Sequence, residues 1–155
     1  MSKMKNDEKT NLPEENSWAA YDALRDATSA KTGFREAVRA YGKSAASLRK
    51  SALAFGKAEA ACNNKATKKN EKSLTHAKNN YLQCVKTYNK LATEANEQFD
   101  KACAAYELAI NALISKGKRS ANKVAAELDR FVGEAKVRIE KASRAIADLD
   151  FSEKR

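Results

Sequence analysis

Turn-forming residues are scarce in this sequence. The 155-residue chain holds one proline, Pro13, and five glycines. Sheet proteins need such residues at frequent turns, so their scarcity argues against a fold of many short strands. Aromatic residues reach only 7%, while alanine and other helix formers abound. Three cysteines, Cys62, Cys84 and Cys103, form no C-x-x-C pair, which argues against a disulfide framework and fits a reducing compartment. No apolar run approaches the ~20 residues of a membrane span. The first residues, MSKMKNDEKTNLPEEN, lack the apolar stretch of a signal peptide. A cytoplasmic protein is expected, with peripheral membrane attachment as an option.

Catalytic groups are equally sparse. The single histidine, His76, has no metal-ligating partner one turn away, and metal sites need such spaced clusters. No Glu-x-x-His pair exists for a di-iron bundle. The carboxylate pairs Glu94/Glu97 and Glu127/Asp129 read as solvated charge. A non-enzyme is expected, with no cofactor, no metal and no small-molecule substrate.

One stretch imitates a nucleotide site. Residues 37–44, AVRAYGKS, fit a loosened phosphate loop through Ala37, Gly42, Lys43 and Ser44. A phosphate loop lies between a strand and a helix N-terminus, where free amides cradle the anion. Here an apolar seam of helical period runs straight through the match, so those amides are expected to be bonded within a helix.

That seam is the main signal of the chain. Phe34, Val38, Tyr41, Ala45, Leu48, Ala52 and Phe55 step alternately by four and three, a heptad repeat with Phe34, Tyr41, Leu48 and Phe55 at d. A second seam runs from Tyr81 through Val85, Tyr88, Ala92, Ala95, Phe99, Ala102, Tyr106 and Ala109 to Leu113. A third holds Val124, Leu128, Phe131, Ala135, Ile139, Ala142, Ile146 and Leu149. These predict helices over about 16–62, 72–115 and 119–150, in one domain spanning 16–150. Polar tails are expected at 1–15, which should be flexible, and at 151–155. The connections, CNNKATKKNEKS and SKGKRS, are short enough for antiparallel neighbours. Gly117 either caps the second helix or lies inside a continuous one. The fold class is all-α, an elongated antiparallel three-helix coiled-coil bundle.

Beside the first seam, small residues fill two further rows. The g row carries Ala37, Ser44, Ser51 and Ala58, and the c row carries Ala40, Ser47 and Ala54. Together they make a smooth shelf on which another helix could pack. It is a candidate self-association surface, and a homodimer is expected. Gly42 and Gly56 fall at e, where each costs ~1 kcal/mol against alanine. They either admit a close neighbour or soften the helix.

Charge is the other strong signal. The net charge is +10. Residues 31–90 carry fourteen Lys/Arg against three Asp/Glu, whereas the flanking stretches are close to balanced. Lys43, Lys50 and Lys57 recur at f, opposite the seam. Arg35 and Arg49 sit at e and Arg39 at b. The connection adds Lys65, Lys68, Lys69 and Lys72, and the second helix adds Lys78, Lys86 and Lys90. A one-signed field of this kind suits an anionic surface or partner. An acidic membrane is favoured, since each basic residue near an anionic leaflet is worth roughly 1 kcal/mol. Nonspecific nucleic-acid binding is the alternative, although no reading motif is present and the tyrosines sit on seams. A structural or adaptor role, binding another helical protein, stays open.

The segments FREAVRAYGKSAASLRKSALAFGKAE and KNNYLQCVKTYNKLATEANEQFDKACAAYELAI, within residues 34–115, resemble the long-helix cores of BAR and F-BAR membrane-curvature domains. The likeness lies in Ala-rich heptads with spaced Tyr and Lys. It implies a dimer of three-helix coiled coils with a basic, membrane-facing surface. This chain is shorter than that family and lacks the prolines that kink its helices.

Overall fold

The computed structural model describes the backbone from Ser2 to Leu149 and side chains from Trp18 to Leu149. The described residues form three helices and no strand: α1 (Ser2–Asn64), α2 (Lys68–Ser115) and α3 (Ser120–Arg144). They pack as a helical bundle. α1 starts at Ser2, ahead of the expected 16, so residues 2–15, expected as a flexible tail, are helical in backbone. The side chains up to residue 17, and residues 150–155 with the expected C-terminal tail, lie outside the described residues.

Local chemistry sets the helix ends. α2 starts at Lys68, ahead of the expected 72, because Thr67 caps it. The Thr67 hydroxyl accepts the Asn70 amide at 3.1 Å, and the Thr67 carbonyl accepts the Glu71 amide at 2.9 Å. This is the N-cap bond that hydroxyl residues supply. The Asn70 side chain then donates back to the Lys65 carbonyl at 2.7 Å, which also accepts the Thr67 amide at 2.9 Å. Most of the polar connection is therefore helical, and only residues 65–67 turn.

Gly117 ends α2. It adopts φ 64°, a left-handed conformation that glycine takes without penalty. Its amide donates to Ile114 at 2.8 Å, and the Lys118 amide reaches back to Leu113 at 3.0 Å. That pair of bonds is the Schellman motif. α3 unwinds after Arg144 into tighter i→i−3 bonds, with Ala147 donating to Arg144 and Leu149 to Ile146.

Two compact units are built from these helices. The first comprises residues 1–35 and 97–136, the second residues 36–96 and 137–155. In the first, the core is aromatic. Phe131 meets Phe34 edge-on at 5.4 Å between ring centroids, and lies 5.9 Å from both Phe99 and Tyr106. Phe34, Tyr106 and Phe131 are buried, with Ala27, Ala30, Ala102, Ala109 and Leu113 around them. Arg35 bonds Glu134 of α3 at the rim, at 3.5 Å.

The second unit has a slimmer core of Val38, Tyr41, Ala45, Leu48, Ala52, Tyr88, Ala95 and Ala142. Tyr41 and Tyr88 join through their hydroxyls at 2.9 Å, with ring centroids 5.1 Å apart. Burial, then the neighbouring Tyr88, push the Tyr41 phenol up to about 12. Each hydroxyl satisfies the other inside the core. Replacing Tyr41 alone by Phe should cost about 1–3 kcal/mol in urea denaturation, because Tyr88 keeps a buried, unpaired hydroxyl. The double Tyr41→Phe/Tyr88→Phe protein should lose less than the sum of the two single changes.

The pH dependence follows in sign. A raised folded-state pKa contributes stability that is complete below pH 10 and lost as pH rises through about 12. Alkaline unfolding in that window should be blunted by Tyr41→Phe. Unchanged alkaline unfolding would remove Tyr41 as its source.

Basic faces of two helices as the candidate functional site

The basic residues arrive on two helices for a local reason. Lys43, Lys50 and Lys57 follow a seven-residue spacing on α1, so they share one face, and the seam on the opposite side is buried as far as Ala52 and half-buried at Phe55. All three are exposed. Arg39, Lys65, Lys68, Lys69, Lys72, Lys78, Lys86 and Lys90 are exposed too. Among the described residues, none of these eleven enters an ion pair. Every one belongs to the second unit.

The remaining two predicted cations behave differently. Arg35 lies in the first unit and pairs with Glu134. Arg49 pairs with Asp148 through both guanidinium nitrogens, the second bond at 2.7 Å. It also donates to the Ala145 carbonyl at 3.1 Å. This bidentate bond raises Arg49 above its ordinary pKa and holds Asp148 below the usual carboxylate range. These two e-row arginines therefore tie α1 to α3, one in each unit.

Two basic residues were missed by the sequence reading. Arg138 and Lys141 of α3 line a groove of about 430 Å³ together with Arg39. Val38, Gly42, Val137, Ala142 and Ala145 form its apolar lining. The mixed charge of residues 119–150 hid this, because only packing brings a particular α3 face beside α1. The open space at Gly42 belongs to this groove, where an added Cβ would meet nothing within 4 Å. Lys43 itself lies inside α1, with its backbone in an uninterrupted helix. The apparent phosphate loop is thus a turn of helix.

The small-residue shelf divides in two. In the g row Ser44 and Ser51 are buried, and their hydroxyls donate to Tyr41 and Leu48 carbonyls at 2.7 and 2.8 Å. Ala37 and Ala58 are half-buried. In the c row Ser47 and Ala54 are exposed and Ala40 is half-buried. The g row is spent within the chain, and the c row remains open.

Cys62, Cys84 and Cys103 are free thiols, each half-buried. Burial pushes the Cys103 thiol up from its ordinary value. His76 is exposed. No cluster of His, Cys, Asp or Glu among the described residues could hold a metal ion, and no helix there is long and apolar enough to cross a membrane. The chain matches no protein-family model, no curated protein and no solved structure.

Proposed function

We propose that this protein is a non-enzymatic, self-associating helical scaffold whose basic hairpin binds an acidic phospholipid membrane. The observation that carries the reading is the set of eleven exposed cations in the second unit, none in an ion pair among the described residues. A face kept only for solubility needs no such asymmetry, since mixed charge serves equally well. The lysines repeat at heptad spacing, and the exposed leucines one turn from them, Leu53 and Leu82, stand singly rather than as an apolar face. That pattern suits docking onto headgroups rather than insertion.

An antiparallel coiled coil is the arrangement this reading uses. Its support is the order of facing residues in the second unit. Tyr41 meets Tyr88 and Phe55 meets Tyr81, so α2 numbers fall as α1 numbers rise. Antiparallel pairing folds the basic parts of α1 and α2 back on one another and concentrates their field.

Sedimentation with vesicles tests the function. Vesicles containing 30% phosphatidylserine should carry the protein down at low salt, and neutral vesicles should not. A parallel gel-shift series with duplex DNA separates the alternatives. Retention by DNA over a wide salt range, with no vesicle binding, would replace the membrane reading with a nucleic-acid one. Binding to neither sinks both.

Self-association is assigned to the open c row. Ala54→Glu should then return a dimer to monomer mass in light scattering. A dimer that persists would place the contact elsewhere.

A further inference from the structure

In each unit an e-row arginine of α1 takes a carboxylate of α3, Arg35 with Glu134 and Arg49 with Asp148. One heptad before Arg49 and Asp148 stand Gly42 and Lys141, both in the second unit. At that level the arginine is replaced by a residue with no side chain, and the carboxylate by a cation. No ion pair can form between them, and the groove of about 430 Å³ opens there. Glycine is a poor choice for a helix interior. Gly42 has no positive φ that requires it, and an added Cβ would meet nothing within 4 Å. Neither backbone nor packing accounts for it. What it provides is the space.

The groove divides by chemistry. Val38 and Ala142 are buried in its lining, and Val137 is 66% exposed. Arg39 and Lys141 are exposed and enter no ion pair among the described residues. Arg138 lines the groove with them, and no carboxylate is among its eight lining residues. Glu140, next to Lys141 in sequence, is taken by Arg144 at 2.5 Å. Ligand sites of this size are mostly apolar, with a few polar groups that fix orientation. Here those groups are all cationic, so the matching ligand is an anion carried on an apolar stem.

We propose that this groove seats the headgroup of a phosphomonoester amphiphile. Arg39 and Lys141 hold the phosphate, and the first carbons of the stem lie against Val38, Val137 and Ala142. A phosphomonoester carries about −1.5 to −2 charge at pH 7, enough to answer two cations. The arginine fork also matches phosphate oxygens bidentately. Arg39 lies one turn before Lys43 on α1, so the groove adjoins the lysine stripe. The stripe attracts any anionic surface, whereas the groove selects one headgroup. The seat rests on the membrane reading for its natural ligand, which is then a lipid of the bilayer.

The probe is mono-octyl phosphate, titrated below its micelle concentration into the full chain with no vesicle present. Calorimetry should show one site per chain, at least tenfold tighter than for inorganic phosphate, which lacks the stem, or octyl glucoside, which lacks the charge. Arg39→Gln and Lys141→Gln should each weaken binding at least fivefold. Lys101→Gln, at an exposed lysine of the first unit, should leave it unchanged. Gly42→Leu fills the groove and keeps every charge. It should weaken octyl phosphate at least tenfold while sedimentation with phosphatidylserine vesicles persists. Its thermal midpoint should hold or rise, because leucine replaces glycine inside a helix. Equal affinity for inorganic phosphate would overturn the proposal, leaving a bare anion site. Equal affinity for octyl glucoside would overturn it too, leaving an apolar groove. Full affinity in Gly42→Leu would place the phosphate elsewhere on the basic field, and equal weakening by Lys101→Gln would reduce the effect to net charge. A chain that sediments with acidic vesicles but ignores octyl phosphate loses this seat and keeps the membrane reading. One that binds octyl phosphate and no vesicle keeps the seat and loses that reading.

Discussion

Truncating Phe131 to Ala should remove about 3–5 kcal/mol from the folding free energy, the cost of emptying a buried aromatic site. Phe131 is 2% exposed and lies within 6 Å of three other aromatic rings, measured between centroids. The chain has ten Phe and Tyr residues in all, so four of them meet at this one point. Alanine dominates the rest of both cores and buries little area per residue. Loss of Phe131 therefore falls on the largest single concentration of apolar contact. Guanidinium or urea denaturation measures it, and thermal melting should show a midpoint lower by roughly 10 °C. The control is Leu108→Ala. Leu108 is 66% exposed, and the change should stay within about 0.5 kcal/mol. A loss under 1 kcal/mol at Phe131 would mean that the neighbouring rings collapse into the space.

The second large effect concerns binding and rests on the membrane reading. Converting Lys43, Lys50 and Lys57 together to Gln removes three charges from one exposed face of α1. At roughly 1 kcal/mol for each basic residue near an anionic leaflet, the apparent affinity for phosphatidylserine vesicles should fall about a hundredfold. Stability should barely change, because none of the three makes an ion pair among the described residues. Arg49→Gln gives the contrast. Its guanidinium is occupied by Asp148, so its removal should weaken vesicle binding far less than removal of one stripe lysine. Salt should erase most of the difference between the wild type and the triple variant, since exposed charges are screened within a Debye length of ~10 Å at 0.1 M. If the triple variant binds as well as the wild type, the stripe is a solvated face.

Much of the fold was legible because the heptad signal is long. Phe34, Val38, Tyr41, Ala45, Leu48 and Ala52 all read as seam and are all buried. The period alone, however, says nothing of how far a third helix accompanies the other two. Phe55 and Tyr81 carry the same seam signal as Tyr41 and are only half-buried, so the seam pattern does not grade burial along its length. Helix ends were obscured for another reason. Thr67 and Asn70 sit in a polar run that looks like a loop, and only their side-chain bonds to backbone turn it into a cap. The basic field was legible from counting. Which cations are free was not, since Arg35 and Arg49 share a heptad row with Gly42 and differ from the stripe only by what α3 places opposite them. Ser44 and Ser51 show the same limit. A small polar residue reads alike whether it bonds its own helix inside the core or waits for a partner.

Each unit draws on all three helices, so neither is a continuous stretch of chain. The boundaries fall inside helices, after Arg35, Asn96 and Lys136, rather than in the connections. No single excised fragment can therefore carry one complete unit and nothing of the other. A protease that nicks the 65–67 turn leaves two pieces, each holding part of both units. For the same reason, a lineage that shortens this protein cannot shed one unit by deleting one end. It must lose two separate stretches together, 36–96 with 137–155 or 1–35 with 97–136, and so shorten all three helices at once.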